Sequence, residues 1–380
     1  MVSRFYDKIK FFIMKIVYLF NSSIPSYNAN SLQVANMCQE LSVNGNDVTL
    51  ITPSTGLKKS ISEHYGFKKS FNLIKIKRFK TFPRGLNYYW YSISSILKSK
   101  KFKPEMFITR NYFTLFLLIL FRKKIIFEIH TDLKFEGRIN RFIYKNFKIL
   151  NSKKIVNLIF ITNALRQHFV KKYNLKLYRT SILYSASNIK NYQPQKTSNK
   201  NIKIGYFGLV NDSRGFSFIC KLSRIDNLNN YYIYGGSNEF IRNMKKKVTN
   251  KNLFLNSYKS YKKMKNLMKE MDILILPYKK KVTAAGNFGD ISKYTSPMKL
   301  FDYLASGKVI IVSSLEVLKE VLKPNKNCIF VDSLNVFIWK NEILKLKNNL
   351  NKMYIMSKNN YYLSKQFTYK QRVKKLLEFE

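Results

Sequence analysis

The sequence predicts an α/β fold with two doubly wound parallel sheets, one in each half of the chain. Short apolar strands alternate with helical segments in both halves of the chain, as parallel sheets with crossover helices require. At 380 residues, the chain is long enough for two domains of ordinary size. Between the halves, residues 187–201 are rich in Asn, Gln, Ser and Pro and poor in apolar residues, which indicates a linker.

The first domain is predicted to span residues 1–186 and to begin with a βαβ unit. The strand Lys15–Phe20 leads into the polar loop Asn21–Asn30. A helix from Ser31 to about Val43 follows, and then the strand Asp47–Thr52. Further strands are predicted at Met106–Thr109, Lys124–His130, Leu158–Thr162 and Ser181–Leu183.

The second domain is predicted to span residues 202–366 and to repeat this pattern. It starts with the strand Lys203–Gly208, the loop Leu209–Ser213 and a helix from about Gly215. Further strands are predicted at Tyr231–Tyr234, Leu253–Leu255, Ile273–Leu276, Val309–Val312 and Cys328–Val331. Both domains are therefore expected to be Rossmann-like, with ligands at the carboxyl ends of their strands.

Composition limits the class of protein. A hydrophobic fraction of 46% and an aromatic fraction of 15% exclude a disordered chain. The net charge of +48 is typical of proteins that bind nucleic acids or anionic membranes. Its distribution is even, with 33 Lys/Arg against 8 Asp/Glu in residues 1–185 and 36 against 13 in residues 186–380. A nucleic-acid site should be concentrated, so no specific nucleic acid is expected, and biased genome composition is the better explanation.

Cysteine use and hydropathy favour a cytoplasmic location. The chain has 3 cysteines, far apart and without a CxxC pair, which fits a reducing compartment. The apolar start through Phe20 is interrupted by Lys15 and lacks a small-residue cleavage site, so it is expected to be a strand rather than a signal sequence. Phe113–Phe121 is too short to span a bilayer. Any membrane association is therefore expected to be peripheral, on the inner face of the plasma membrane.

Two segments combine basic and apolar residues in a way that suits an anionic membrane surface. Residues 58–103 contain a single acid, Glu63, among many lysines and aromatic residues. In residues 138–150 the apolar side chains Ile139, Phe142 and Ile143 fall near helical spacing, between basic positions. The alternative for the second segment is an ordinary surface helix with its apolar side against the core.

The most informative motif is Ser296-Pro-Met-Lys-Leu-Phe-Asp-Tyr-Leu-Ala-Ser-Gly307, followed by an apolar strand. Ser296 and Pro297 are favoured residues for the start of a helix. The free amides at such a start, including that of Met298, attract anions, and Lys299 adds a positive charge beside them. Asp302, one turn further, is placed to accept hydrogen bonds from hydroxyl groups. Phosphate at one end and a sugar diol at the other predict a nucleotide-sugar ligand.

At these residues the chain resembles the retaining glycosyltransferases of family 4, in the branch with an SPxKxxEY-like motif. The resemblance implies the GT-B fold, in which two doubly wound Rossmann-like domains face each other across a cleft. It also implies a nucleotide-diphosphate sugar as donor and a saccharide or lipid-linked acceptor. It implies that Asp302 holds the donor ribose, although glutamate is usual there. Tyr294 stands where the wider family has a second glutamate. The resemblance also implies that the C-terminal helix, within residues 367–380, packs back on the first domain.

Three loops are identified by this resemblance as further donor contacts. Gly208 and Arg214 flank the loop after the first strand of the second domain, where the family binds the diphosphate, and a guanidinium suits a phosphate. Gly236 ends the next strand, where the family borders the nucleotide. Ala29 and Asn30 occupy the first loop, which is close to the donor phosphate or sugar in the family. The alternative for Arg214 is an ordinary solvated arginine in a loop. The alternative for the first loop is a plain helix cap at Asn30 and Ser31 without a ligand.

Glu128 and His130 are the candidate catalytic residues. They end a central strand, and alternation places both on the same side of it. In similar enzymes a histidine at this position lies beside the donor sugar. The alternative is a buried histidine with a structural partner.

The resemblance implies transfer of a glycosyl unit to an acceptor hydroxyl, with retention of the anomeric configuration. No cofactor and no metal are expected, because no DxD-type carboxylate pair stands in a suitable loop. Two alternatives remain open. One is a sugar-nucleotide epimerase or hydrolase with the same fold, and the other is a non-catalytic binding protein. The sequence does not identify the donor base, the acceptor or the oligomeric state.

Overall fold

The computed structural model describes residues 13–79, 81–121, 123–188, 194, 201–284 and 289–378. Within this part of the chain, the strands form two sheets, and every strand pair is parallel. This is the doubly wound α/β class that the sequence predicted. Most of the predicted linker 187–201 lies outside the described residues.

The first sheet has seven strands in the order β3-β2-β1-β4-β5-β6-β7. One of them, β3, lies in a stretch for which the sequence analysis predicted no strand. The strands are β1 (Lys15–Leu19), β2 (Asp47–Pro53), β3 (Asn72–Ile76), β4 (Met106–Thr109), β5 (Lys124–Ile129), β6 (Ile155–Phe160) and β7 (Thr180–Ile182). The helices are α1 (Ala29–Val43), α2 (Ile61–Tyr65), α3 (Arg84–Ser99), α4 (Tyr112–Ile119), α5 (Arg138–Asn146) and α6 (Asn163–Tyr173).

The second sheet has six strands in the order β10-β9-β8-β11-β12-β13. The strands are β8 (Lys203–Phe207), β9 (Asn230–Tyr234), β10 (Leu253–Asn256), β11 (Ile273–Leu276), β12 (Val309–Ser313) and β13 (Ile329–Val331). The helices are α7 (Phe216–Ile225), α8 (Asn238–Lys247), α9 (Tyr261–Lys269), α10 (Met298–Ala305), α11 (Glu316–Lys319), α12 (Val336–Lys347), α13 (Leu350–Ser364) and α14 (Tyr369–Leu377).

Helices cover both faces of each sheet, which explains why the central strands are continuous apolar runs rather than alternating ones. All five residues of β12 are buried, for example, as are all four of β11. Strand order reverses beside β1 in the first sheet and beside β8 in the second. Ligands of such sheets bind at the carboxyl ends of the strands next to this reversal, so the loops after β1 and β8 are where a site is expected.

The last helix, α14, returns from the second half of the chain to the first sheet. It packs along α1, and its apolar residues Tyr369, Val373 and Leu376 are buried in the same core cluster as residues of β1 and α1. The preceding residue, Thr368, pairs with Ser187 in an isolated parallel bridge. The C-terminal segment therefore joins the two halves of the chain.

Candidate active site

A cleft of about 290 Å³ lies between the loops after β1 and β8. Its wall on the first-domain side is the loop Ser26–Ala29 together with α2, and the ring of Tyr27 stacks on Tyr258 of the second domain with centroids 5.3 Å apart. Of the predicted site residues, those that line the cleft are Ala29, Gly208, Arg214, Pro297, Met298, Lys299 and Asp302. Those that are not among its lining residues are Asn30, Glu128, His130, Gly236 and Ser296.

Lys299 stands in the first turn of α10, with its ammonium group inside the cleft wall. The Nζ atom donates a hydrogen bond to the hydroxyl of Tyr206 at 2.8 Å and lies 4.0 Å from the centre of that ring. Burial, together with the charge of Arg214, holds the pKa of Lys299 well below its usual value. Neither cation forms an ion pair with a carboxylate of the described residues, so an anion would be bound here without displacing one.

Arg214 supplies the second cation from the loop after β8. The side chain of Asn211 accepts a hydrogen bond from the Arg214 backbone amide at 3.0 Å, which fixes the turn. The Arg214 side chain hydrogen-bonds to the hydroxyl of Tyr278, whose pKa is raised by burial. Its Nη1 atom is buried without a hydrogen-bond partner in the described part of the chain. A buried guanidinium nitrogen without an acceptor is costly, and a bound anion would supply one.

Two glycines allow the loops beneath Lys299 to approach each other. Gly208 has φ +124°, and a Cβ there would lie 2.9 Å from the Nζ of Lys299. A Cβ on Gly235 would lie 1.9 Å from the carbonyl oxygen of Gly208. Gly236 was predicted to border the nucleotide. It lies in a left-handed turn outside the cleft lining, and its carbonyl accepts a hydrogen bond from the amide of Tyr258 at 3.1 Å, so it positions a residue of the cleft.

The start of α10 differs from the prediction by one residue. The helix begins at Met298, and Pro297 rather than Ser296 occupies the cap position, without a side-chain cap. Ser296 is engaged elsewhere because it bridges to the end of the first domain. Its Oγ accepts a hydrogen bond from the amide of Ser185 at 3.1 Å, and its carbonyl accepts one from the Ser185 hydroxyl at 2.8 Å. The expected role of Ser296 as helix cap is therefore wrong.

Asp302 lies at the cleft but already has protein partners. Its Oδ1 atom accepts hydrogen bonds from the hydroxyls of Ser187 and Tyr261, both at 2.6 Å. Burial raises the pKa of Asp302 to about 6, and these two hydrogen bonds oppose the shift. A ligand hydroxyl would therefore have to bind the other carboxylate oxygen, Oδ2.

The first loop also differs from the prediction in its helix start. The sequence placed the cap at Asn30 and Ser31, whereas α1 begins at Ala29 after Asn28, whose side chain makes no cap bond. Ser31 is buried within the helix, and its amide bonds to the Asn28 carbonyl at 3.1 Å. Ala29 lines the cleft in the first turn of a 15-residue helix, and Asn30 does not.

Glu128 is the centre of a buried ion-pair network rather than a residue of the cleft. Its side chain has no solvent exposure and pairs with the guanidinium groups of Arg110, at 2.9 Å, and Arg372 of α14. The Tyr18 hydroxyl donates to its Oε2 at 3.3 Å. The two guanidinium charges hold the pKa of Glu128 well below its usual range despite burial. A carboxylate enclosed in this way cannot reach a substrate, so the prediction of a catalytic Glu128 is revised to a positioning role.

His130 emerges from this network toward solvent. Its Nε2 atom lies 3.1 Å from Oε1 of Glu128, and 27% of its side chain is exposed. The two residues therefore share one side of the strand, as alternation requires. Burial and the charge of Arg110 lower the pKa of His130 to about 4, against the opposing effect of Glu128. The imidazole is neutral at pH 7, in which state it can accept a hydrogen bond or donate one.

We expect His130 to make folding stability depend on pH between about 4 and 6.5. Its native pKa is below the unfolded value, so the unfolded state binds more protons in this interval and stability falls as pH falls. Asp302, with a raised pKa, has the opposite effect in part of the interval. Urea unfolding at pH 7 and 4.5 should show that the free energy of unfolding decreases less between these pH values in His130→Gln than in the wild type. An equal loss in both proteins would contradict the shift.

Two histidines that the sequence analysis did not single out have defined surroundings in the structure. His64 is buried and lines the cleft, and its Nε2 lies 3.2 Å from the carbonyl of Ser26. Because a carbonyl only accepts, Nε2 carries the proton, and Nδ1 has no partner among the described residues. His168 lies 2.9 Å from Asp132, with its ring against Tyr294. Only the tertiary structure brings these groups together, because no local motif marks them.

No group of three or more His, Cys, Asp or Glu that could hold a metal ion occurs in the described part of the chain. In the same residues, no helix has the length and apolar character needed to cross a membrane.

Comparisons with known proteins agree with this architecture. The model of Glycosyltransferase Family 4 matches residues 31–186. This match lies in the first domain, whereas the motifs that indicated the resemblance lie mostly in the second. No curated protein sequence matches the chain significantly.

Solved structures match nearly the whole chain at low sequence identity. Sucrose-phosphate synthase from Thermosynechococcus elongatus has a TM-score of 0.73 at 11% identity, over 94% of this chain and 96% of that chain. HepE from Anabaena, in complex with UDP and glucose, has a TM-score of 0.70 at 12% identity, over 95% and 98%. WaaG, a glycosyltransferase involved in lipopolysaccharide biosynthesis, has a TM-score of 0.66 at 11% identity, over 95% and 97%. The family match confirms the resemblance to glycosyltransferase family 4 over residues 31–186, and these structures show that the chain has the GT-B fold.

Proposed function

We propose that the protein is a retaining glycosyltransferase that moves a hexosyl unit from a nucleotide-diphosphate sugar to a hydroxyl of a cell-surface polysaccharide, lipopolysaccharide or glycolipid precursor. The observation that carries this proposal is the pair of cations at the start of α10. Lys299 and Arg214 line the cleft without a carboxylate partner among the described residues, and Arg214 has a buried nitrogen in need of an acceptor. A diphosphate satisfies both requirements.

The chemistry follows from the position of these charges. When the glycosidic bond to the donor phosphate breaks, negative charge develops on the departing diphosphate. Lys299, Arg214 and the amides at the start of α10 would stabilise that charge, an electrostatic contribution of several kcal/mol. Asp302 would bind a ribose hydroxyl through Oδ2. No metal is needed for the charge, because the cations of the chain supply it.

The donor base and the location are further parts of the proposal. HepE was solved with UDP and glucose and also with UDP-glucose, which supports a uridine donor for a chain of the same fold. We place the protein in the cytoplasm, at the inner face of the plasma membrane. His130 is not among the residues that line the cleft, but the resemblance implies that it lies beside the donor sugar, where Glu128, 3.1 Å from its Nε2, would orient it.

Retention and the role of His130 can be tested without knowing the acceptor. Without an acceptor, a retaining transferase hydrolyses its donor slowly, with water in place of the acceptor hydroxyl. With enough enzyme for hydrolysis to outpace mutarotation, proton NMR of a reaction with UDP-α-glucose should show α-glucose as the first product. We expect His130→Ala to lower the turnover number more than the affinity for UDP-glucose, because the residue acts on the reacting sugar. β-Glucose as the first product would exclude retention. An unchanged turnover number would exclude the proposed role of His130.

A further inference from the structure

Helix α3 has small polar residues on its buried side, beside the core residues Tyr91 and Ile96. Ser92, Ser95 and Ser99 are fully buried on the side that packs against the domain. Their hydroxyls are satisfied within the helix, for example by the Tyr88 carbonyl at 3.0 Å for Ser92. Small buried serines let α3 lie close to α4, where the Thr114 hydroxyl donates to Ser92 at 3.0 Å. The helix nevertheless carries further large apolar side chains that do not enter this core.

The outward side of α3 carries an apolar stripe. Its members are spaced i, i+4, i+7 and i+11, which places them within about 60° of one another on a helix of 3.6 residues per turn. They are Leu86, Trp90, Ile93 and Leu97, with exposed fractions of 53%, 39%, 45% and 58%. Large apolar side chains exposed singly are ordinary, but a continuous stripe of this kind marks an interaction surface.

The preceding loop extends the stripe with aromatic rings. The side chain of Asn87 fixes this loop by donating to the carbonyls of Phe79, at 2.9 Å, and Phe82, at 3.0 Å. The rings of Phe79 and Phe82 lie 5.0 Å apart, and Phe79 lies 5.4 Å from the ring of Trp90. Phe82 and Trp90 are both exposed. The three rings therefore form an aromatic cluster at the start of α3, held in place by Asn87.

Cations border the stripe at both ends, and no acid interrupts it. Residues 64–104 contain no Asp or Glu. The exposed cations are Lys77 and Arg78 before the helix and Lys98, Lys100, Lys101 and Lys103 at its end. Helix α5 adds to this surface, because Asn140 donates to the Tyr88 hydroxyl of α3 at 2.9 Å. Of the apolar residues of α5, Ile139 and Phe142 are exposed, while Ile143 is buried.

We propose that the apolar stripe of α3, with its bordering lysines, is the surface by which the protein docks on an anionic lipid bilayer. Apolar and aromatic side chains that enter the interface, next to lysines that meet acidic headgroups, are what such a surface requires. A second copy of the chain would suit this face less well. Each copy carries a net charge of +48, and docking α3 on α3 would bring like charges together.

The position of α3 would place a docked membrane close to the cleft. Helices α3 and α5 follow β3 and β5, so their first turns lie at the carboxyl edge of the sheet, which faces the cleft. The guanidinium of Arg78 donates to the carbonyl of Asn21 at 3.1 Å, and Asn21 begins the loop that forms the cleft wall. A docked bilayer would therefore lie next to the cleft. On the proposed function, this favours a lipid-linked acceptor presented at the membrane surface.

Sedimentation with vesicles tests the proposal. Wild-type protein should bind vesicles of 30% phosphatidylglycerol in phosphatidylcholine and bind pure phosphatidylcholine far more weakly. Ile93→Ser with Leu97→Ser should lower the partition coefficient by roughly tenfold or more. The matched control is Ile355→Ser with Leu344→Ser on helices of the second domain, which are 49% and 46% exposed and should change nothing. Replacing Lys98, Lys100 and Lys101 by Gln should cost about fivefold for each lysine.

Tryptophan fluorescence gives a second readout in the unaltered protein. The chain has 2 tryptophans, of which Trp339 is fully buried and Trp90 is exposed. Anionic vesicles should shift the emission to shorter wavelength, and brominated lipid should quench it. The proposal would be overturned if the wild type did not bind vesicles, or if the stripe and control variants lost vesicle binding equally. It would also be overturned if the wild type formed a dimer that the stripe variant did not form. Stabilisation by UDP-glucose should be the same in all variants, which separates this test from that of the cleft.

Discussion

Lys299→Ala is expected to weaken binding of the nucleotide-diphosphate donor by about 1.5–3 kcal/mol, or roughly 10- to 150-fold in the dissociation constant. The reason is the loss of the charge-assisted hydrogen bond between the Lys299 ammonium group and the diphosphate. Arg214 would remain as the second cation of the cleft. Isothermal titration with UDP-glucose measures the effect. Lys279→Ala is the control, because Lys279 lies in the same domain but is exposed and pairs with Asp212. Equal affinities in wild type and Lys299→Ala would contradict the assignment.

The same residue should link donor binding to pH. In the empty cleft, burial and Arg214 hold the pKa of Lys299 well below its usual value. A bound diphosphate would favour the charged ammonium and raise this pKa, so binding should take up a proton. Affinity should therefore fall as pH rises from the lowered pKa of Lys299 in the free protein toward its higher pKa in the complex. Titrations in buffers of different ionisation enthalpy should report the uptake, and Lys299→Ala should abolish it.

Arg372→Met is expected to lower the free energy of unfolding by about 3–5 kcal/mol, the range for removing one partner of a buried ion pair. Its guanidinium pairs with Glu128 and donates to the carbonyls of Leu183 and Tyr184. All of these groups would lose a buried partner, although Arg110 would remain beside Glu128. Chemical denaturation measures the loss, and Lys375→Met is the control because that residue is exposed on the same helix.

A double-variant cycle would separate the ion pair from simple packing of α14. If the pairing with Glu128 matters, Arg372→Met should cost less in a Glu128→Gln background than in the wild type. Limited proteolysis should then show whether the C-terminal helix detaches before the domains unfold. A cost below about 1 kcal/mol for Arg372→Met would mean that this network does not hold the helix in place.

Local patterns in the sequence were sufficient for every strand except β3 (Asn72–Ile76), at the edge of the first sheet. The apolar runs of β11 and β12 are buried on both faces and bounded by polar loops, so their identity does not depend on tertiary detail. The two cations of the cleft were predicted in different ways. Lys299 was predicted from its place at a helix start, whereas Arg214 was identified by the resemblance. The parallel topology brings the loop after β8 and the start of α10 to the same edge of the sheet.

Features that depend on distant pairs could not be predicted. Glu128 looked catalytic because it ends a central strand, and only the fold shows that Arg372, 244 residues away, encloses its carboxylate. Asp302 was expected to be open to a ligand, and the fold places Ser187 and Tyr261 on one of its oxygens. Composition indicated a membrane surface in residues 58–103, but it could not show that the serines of α3 face inward.

The central claim is that the cleft at the start of α10 binds a nucleotide-diphosphate sugar. Its most direct test is the thermal unfolding of the wild type and Lys299→Ala with UDP, GDP, CDP, AMP and their sugar conjugates. A ligand that binds only the native state adds about 2.7 kcal/mol of stability at a hundredfold excess over its dissociation constant. We expect uridine diphosphates to stabilise the wild type and to lose most of this effect in Lys299→Ala. A flat response to every nucleotide, or an equal response in both proteins, would contradict the claim.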